Sequence, residues 1–490
     1  MNTKIYTAMF AVILLTAFFF RFWNYSGRYG LAYDQAHDAI IAREAVQNRL
    51  VPLVGPFSSA GPFQTSGTWY WLLMLPTFFY SDSILTPWIF LTFSGFLMVL
   101  GIGIFGTYLA GRTFGLIVAL LTAVSTAQIA QSVNLTNQTP IPYISFLALA
   151  SSVIFLRNKK YVYMALTGFL VSLAASIHLQ GMALCIVIAV ALVLHWRIIV
   201  RSSLSALAGF IWPMLPIIMW DIPRGFRNIH NMIYYYRYDQ FNISLDVLGR
   251  RWLTYLSDFW PREWSHITGG FSWIGYLIAA MMICTCLYHI KKRSLTREWV
   301  LLCMSFLGMM IVVRYTHVPI FSSFITFMHP IVLILTAWSI HTVVKLNKTV
   351  GLLLLLIIVS GSVVKSSREA FLPRQNFTAK TSLEIRAKLK NLYPGEKFMI
   401  YDYNYEEVTR SVPIVLFLDE ENLLSESGRK IGFLRQNHQG MFNTDIISTT
   451  SGLIADLSAS NSGQLIRDGW IGVNPSDIYK STAEWLPKNK

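Results

Sequence analysis

Charge is what this chain has least of. Of its 490 residues only 13% are Asp, Glu, Lys or Arg, while 54% are hydrophobic. Soluble globular domains carry about 25% charged residues, so this chain has too little polar surface to hold its apolar side chains in water. A bilayer acting as the solvent removes that conflict. Cysteine is also scarce. Cys185, Cys284, Cys286 and Cys303 all lie in apolar stretches, which argues against a disulfide framework. Cys284 and Cys286 lie inside an apolar run and read as small apolar residues. There is no glycine-rich nucleotide loop, no internal repeat and no low-complexity tract. The net charge of +15 does not suggest nucleic acid, because the basic residues sit in short clusters between apolar runs instead of on one continuous face.

What the chain has is long apolar runs. They fall at 5–22, 84–110, 115–131, 140–157, 161–178, 181–196, 203–220, 271–290, 298–314, 320–343 and 349–365, about eleven membrane-spanning helices. The first is followed by Arg21-Phe22-Trp23 and not by a small-x-small cleavage site, so it reads as an uncleaved span. Arg112, the Arg157–Lys160 cluster, Arg197 and Arg201, the Lys291–Arg297 group, and Lys345 and Lys348 all fall in alternate connections. The connections at 132–139 and 179–180 hold no Lys or Arg. Positive charge marks the cytoplasmic side, so the N-terminus is expected inside and the C-terminus outside.

Three larger segments are then expected outside. The first loop, 21–83, holds the stretches Ala36–Leu50 and Thr68–Tyr80, which read as helices lying in the interface plane. The second, 221–270, is rich in Tyr, Trp and Arg, and its aromatic residues (Tyr234–Tyr236, Trp252, Trp260, Trp264) read as headgroup anchors. The third, 366–490, is polar. There Leu383–Leu392 reads as a helix and Lys397–Tyr403, Ile414–Leu418 and Ile431–Leu434 as strands of a small α/β domain.

The densest group of ionisable residues is Tyr33-Asp34-Gln35-Ala36-His37-Asp38, just after the first span. On a helix Asp34, His37 and Asp38 share one face. Three roles fit. Asp34 is a general base for a hydroxyl nucleophile, or part of a metal site, or the N-cap of a helix beginning at Gln35.

Taken together, Arg21-Phe22-Trp23, Tyr33-Asp34-Gln35-Ala36, Gly55-Pro56 and Gly67-Thr68-Trp69-Tyr70-Trp71-Leu72 resemble the C-type (GT-C) glycosyltransferases. The branch resembled is the protein O-mannosyltransferase and lipid A aminoarabinose transferase superfamily. The resemblance implies an all-α polytopic fold over 1–365, with interfacial helices in the first loop, and a small extracytoplasmic domain over 366–490. It also implies transfer of a sugar from a polyprenyl-phosphate carrier to an acceptor on the outer face of a bacterial inner membrane. Asp34 matches the leading acidic position, with Gln35 where a second acid is usual, and His37 and Asp38 beside it. The lysine expected before span two is replaced by Gln64-Thr65-Ser66-Gly67, so another cation must hold the carrier phosphate.

Arg314, His317 and Arg43 are the candidates for that cation, with Arg237, Arg250 and Arg251 competing. Arginine offers a planar fork of donors to phosphate, although Arg314 also reads as an aromatic–basic interface anchor. Asn134–Pro142 resembles a turn of the same family, which makes Asn137 a substrate candidate; the same residues would also serve simply to start a helix with proline in its first turn. His178 and Gln180, where span five meets the outer surface, are further substrate candidates or snorkelling groups. No metal and no nucleotide cofactor is expected. The expected partners are the lipid-linked sugar, an acceptor glycan, lipid or protein, and membrane lipid. The alternatives are a transporter or flippase of a lipid-linked substrate and a non-catalytic scaffold of envelope assembly. The first would call for inverted repeats and charges in mid-span.

Overall fold

The computed structural model describes residues 2–58, 61–239, 252–315, 322–372, 378–404, 408–434, 446–449 and 452–473. Among the described residues, the apolar runs expected to span the membrane are helical. Helix α1 (Thr3–Phe22) is followed by one turn, α2 (Tyr25–Arg28), and by α3 (Tyr33–Gln47). A hairpin of β1 (Val54–Phe57) and β2 (Gln64–Ser66) leads into α4 (Thr68–Phe79). The bundle continues with α5 (Thr86–Ala110), α6 (Arg112–Ala123), α7 (Thr126–Gln131), α8 (Ile141–Asn158) and α9 (Tyr161–Ile177). A 3₁₀ turn (Leu179–Leu184) leads into α10 (Cys185–Leu194), then α11 (Ile199–Asp221). Between α11 and α14 (Ser272–Lys291) lie α12 (Arg227–Tyr234) and α13 (Trp260–Ile267). Helices α15 (Arg297–Arg314), α16 (His329–Leu346) and α17 (Lys348–Phe371) complete the bundle. Seven of the described helices are long and apolar enough to cross a membrane. The other expected spans are shorter (α6, α9, α10) or begin and end on charge, as α15 does with Arg297-Glu298 and Arg314. The chain is a multi-pass membrane protein.

Small residues set the tightest helix contact. In α9 and α11, a Cβ on Gly168 would lie 2.0 Å from the Ala206 carbonyl oxygen, and one on Gly209 would lie 1.9 Å from that of Ala165. Glycine lets the two backbones touch, as is usual for helices packing in lipid. Arg21, buried at the end of α1, donates to the Thr122 and Ala123 carbonyls that end α6, at 3.3 and 3.2 Å. A cation there meets the negative end of the helix dipole.

The C-terminal part forms a five-stranded sheet. Helix α18 (Ala379–Leu392) precedes β3 (Phe398–Tyr403), α19 (Val408–Glu420) and β4 (Arg429–Leu434); then come β5 (Ile446–Thr449), β6 (Gly452–Asp456), α20 (Ser462–Arg467) and β7 (Trp470–Val473). The order is β5-β6-β4-β3-β7, with β3 and β4 parallel across α19 and the other pairs antiparallel. Ile414–Leu418, expected as a strand, belongs to α19. A short unbroken apolar run looks the same in a buried strand and in a helix buried on all sides, and all five of these residues are buried.

Helix α3 also departs from expectation. It is not an amphipathic helix with one bare face, because Ala36, Ala39–Arg43 and Ala45 are all buried, with α4 packed on one side and α19 on another. Helix α4 does keep an apolar outer face: Trp71, Leu75, Phe78 and Phe79 are exposed, while Trp69, Tyr70, Leu73 and Thr77 are buried.

Candidate active site

The run Gly67–Trp71 makes sense residue by residue. A Cβ at Gly67 would lie 2.0 Å from the Pro52 carbonyl oxygen, so only glycine fits there. The Thr68 hydroxyl meets the Ser176 hydroxyl at 2.7 Å, tying α4 to the end of α9. Trp69 Nε1 donates to Asp38 Oδ2 at 2.8 Å, and the Tyr70 hydroxyl lies 3.4 Å from Asp38 Oδ1. Trp71 Nε1 donates to the Pro52 carbonyl at 2.8 Å.

Asp38 is therefore a buried carboxylate held by α4. Its Oδ1 also accepts from His37 Nδ1 at 3.2 Å. Asp34, one turn earlier on the same helix face, is exposed and makes no hydrogen bond or ion pair with any described residue. It is not the N-cap. The helix begins at Tyr33 after Ala32, and it is Gln35 Oε1 that accepts from the Ala32 amide at 3.1 Å. Partial burial, and then the charge of Asp38, raises the Asp34 carboxyl above the ordinary aspartate value, while His37 lowers it. Two carboxylates one turn apart thus have separate environments: Asp38 is held by three donors, and Asp34 is open, with its carboxyl raised above the ordinary aspartate value.

The other polar candidates link α3 to the neighbouring elements through hydrogen bonds. Gln35 Nε2 donates to the Leu135 carbonyl at 2.9 Å, joining α3 to the connection before α8. In that connection Asn137 Nδ2 reaches the Ile177 carbonyl at 3.5 Å, and the Gln138 amide lies 3.2 Å from His178 Nε2. Gln180 donates its backbone N–H to His178 Nδ1 at 3.4 Å. Its side-chain amide is buried at both ends with no partner among the described residues. Asp38 to Trp69, Thr68 to Ser176, Ile177 to Asn137 and Leu135 to Gln35 form one circuit through α3, α4, α9 and the 132–139 connection. Of the residues the sequence pointed to, His37 and Asp38 are in contact, as are His178 and Gln180, while Gln35 and Asn137 bond to the backbone of Leu135 and Ile177 that lies between the two groups. Thr68, Trp69, Tyr70, Ser176 and Gln138 were missed as site-building residues. The signals for the first three were the aromatic run and the Gly67–Leu72 motif that contains them.

The described cation candidates have different partners. Arg43 is buried and directs Nη2 to Asp419 Oδ2 at 3.4 Å, toward the C-terminal domain. Arg314, buried at the end of α15, sits over the Trp252 ring at 5.2 Å and the Tyr315 ring at 5.9 Å. Arg237 is exposed over the Tyr238 ring. His317, Arg250 and Arg251 lie outside the described residues. Trp260 and Trp264, expected as headgroup anchors, are instead buried against Phe306, with Trp264 Nε1 donating to Thr336 Oγ1 at 2.8 Å. Among the described residues no three of His, Cys, Asp and Glu gather to hold a metal ion.

No family model matches the sequence, and no curated protein sequence does. Solved structures do match the fold. ArnT from Cupriavidus metallidurans in the apo state superposes with a TM-score of 0.61 at 10% identity, over 94% of this chain and 99% of that one. The same protein bound to undecaprenyl phosphate gives 0.59 at 9% identity, over 93% and 98%. The archaeal oligosaccharyltransferase AglB from Archaeoglobus fulgidus, in complex with an inhibitory peptide and a dolichol-phosphate, gives 0.50 at 12% identity, over 80% of this chain and 58% of that one. The chain therefore has the GT-C fold that its first loop resembles, a polytopic helical bundle followed by a small sheet domain.

Proposed function

We propose that this protein is a membrane glycosyltransferase that moves a sugar from a polyprenyl-phosphate carrier to an acceptor hydroxyl, with inversion at the anomeric carbon. The observation that carries this reading is the open carboxylate of Asp34 beside the saturated one of Asp38. A base must be free to take a proton, and its raised basicity favours that role. Asp34 accepts the proton of the acceptor hydroxyl as that oxygen bonds to the anomeric carbon. The bond from that carbon to the phosphate oxygen breaks, and polyprenyl phosphate leaves. Arg314, with His317 beside it in sequence, neutralises the charge developing on the leaving phosphate, where a preorganised cation helps most. Gln35, Asn137, His178 and Gln180 orient the sugar and the acceptor.

The fold supports this reading, since two of the structures that share it hold a polyprenyl phosphate: undecaprenyl phosphate in one and a dolichol-phosphate in the other. In this reading residues 1–365 form the catalytic membrane domain of a bacterial inner-membrane protein. The N-terminus is cytoplasmic, and 366–490 is an extracytoplasmic domain. In this reading no nucleotide takes part, because the carrier linkage itself supplies the activation, and no metal is required.

The test is reconstitution in vesicles with a radiolabelled polyprenyl-phosphate sugar and, in parallel, a nucleotide sugar. The reading expects label to pass to endogenous membrane acceptors from the lipid carrier alone and in the presence of a chelator. Absence of transfer together with flux of the lipid-linked sugar across the vesicle would replace the transferase with a transporter.

A further inference from the structure

The helix that carries Asp34 is held at both ends by the C-terminal domain. Just before its first turn, Gly30 bridges Thr378, and the Ala379 amide donates to the Tyr29 carbonyl at 3.0 Å, so the chain leading into α3 pairs with the chain leading into α18. Toward its far end lies Arg43. The nine-residue separation carries Arg43 about 13 Å along the axis from Asp34 and turns it to the opposite face. There it meets the acidic end of α19.

That end is three consecutive carboxylates, and each engages a different element. Asp419 Oδ2 lies 3.4 Å from Arg43 Nη2 on α3. Glu420 Oε1 accepts from the Ile84 amide at 2.8 Å, in the turn that starts α5. Glu421 pairs with Arg386 at 2.9 Å and Lys390 at 2.7 Å on α18. Burial raises the Glu420 carboxyl, and the neighbouring Arg43 and Arg386 pull it back. Behind these charges, Val412 and Ile414–Leu418 of α19 join the same hydrophobic core as Ala36 and Ala39–Ala42 of α3.

We propose that the acidic end of α19 is a clamp by which the C-terminal domain fixes α3, and that Arg43 is thereby a positioning residue for Asp34. The transfer arm of the test rests on the reaction proposed above; the clamp itself does not. Asp38 pins the middle of α3 to α4, and Gln35 pins its start to the 132–139 connection. Without the clamp the last turns of α3 lose the Arg43–Asp419 pair, and the helix is free to tilt about Asp38.

The experiment uses the full-length protein in vesicles and four variants: Arg43→Lys, Arg43→Glu, Asp419→Arg and the charge-exchanged pair R43E/D419R. Amide hydrogen exchange over residues 33–47 is read beside transfer from a radiolabelled polyprenyl-phosphate sugar. Each single reversal is expected to speed exchange in α3 about tenfold, the scale of one charge-assisted hydrogen bond. It is also expected to lower kcat about tenfold with little change in the donor KM, because the base is displaced while the donor site is kept. Arg43→Lys and the exchanged pair restore most of both. Unchanged exchange in the single reversals overturns the clamp, as does faster exchange that the exchanged pair fails to restore. If no variant, wild type included, transfers sugar while exchange follows the expected order, the clamp stands and the transferase reading falls.

Discussion

Trp69 Nε1 donates to Asp38 Oδ2 at 2.8 Å across thirty-one residues of sequence, and this bond joins the two helices of the first loop. The carboxylate is buried, so removing the donor leaves a desolvated charge short of a partner. Trp69→Phe keeps most of the ring and deletes the donor. The expected cost is about 1–3 kcal/mol, read as a lower midpoint of thermal unfolding in detergent. An unchanged midpoint would show that Tyr70 and His37 suffice to hold Asp38.

The pH dependence of transfer follows from Asp34. The base must be ionised, and its carboxyl lies above the ordinary value of 3.8, through burial first and the Asp38 charge second. The acid limb of kcat/KM is therefore expected above pH 3.8, with activity falling as the pH drops through it. His37 opposes the rise, so His37→Gln should move the limb further toward neutral pH. A limb that moves toward lower pH in that variant, or stays in place, contradicts the assignment.

The seam between α9 and α11 is predicted to tolerate almost nothing larger than glycine. A Cβ at Gly168 or Gly209 would come within about 2 Å of a backbone carbonyl oxygen across the seam. Gly168→Leu and Gly209→Leu should each destabilise the bundle by about 1–3 kcal/mol or more. Lower yield of folded protein and a lower unfolding midpoint are the readouts. Because α9 ends at the His178 corner of the site, transfer should fall as well.

Arg314 is predicted to act on the donor. Arg314→Ala should raise the donor KM and lower kcat, each about tenfold or more, with Arg314→Lys recovering part of the loss because a point charge replaces the planar fork. If kcat and KM for the lipid-linked donor are unchanged in Arg314→Ala, the arginine is an interface anchor stacked on Trp252 and Tyr315.

The membrane helices were legible because length and hydropathy alone set them; α6, α9 and α10 were found even though they are shorter than a full span. Asp34 stood out as a candidate because it lies in the densest group of ionisable residues, just after the first span. Its difference from Asp38 did not. Two of the three donors to Asp38, Trp69 and Tyr70, lie on α4, and a local pattern does not report contacts made by tertiary folding. Arg43 shows the same limit. It looked like a free cation on a loop helix until the C-terminal domain brought Asp419 to it. Ile414–Leu418 was misread because burial on every side erases the helical period. The aromatic residues Trp260 and Trp264 were misplaced for a related reason, since Trp suits both a headgroup belt and a packed interior.

The central claim is that Asp34, and not Asp38, is the base. Asp34→Asn keeps the size of the side chain and removes its basicity, and it breaks no hydrogen bond to any described residue. In reconstituted vesicles supplied with a radiolabelled polyprenyl-phosphate sugar, wild type should label endogenous acceptors, and Asp34→Asn should do so about 10²-fold or more slowly with an unchanged unfolding midpoint. Equal transfer by the two proteins would contradict the account.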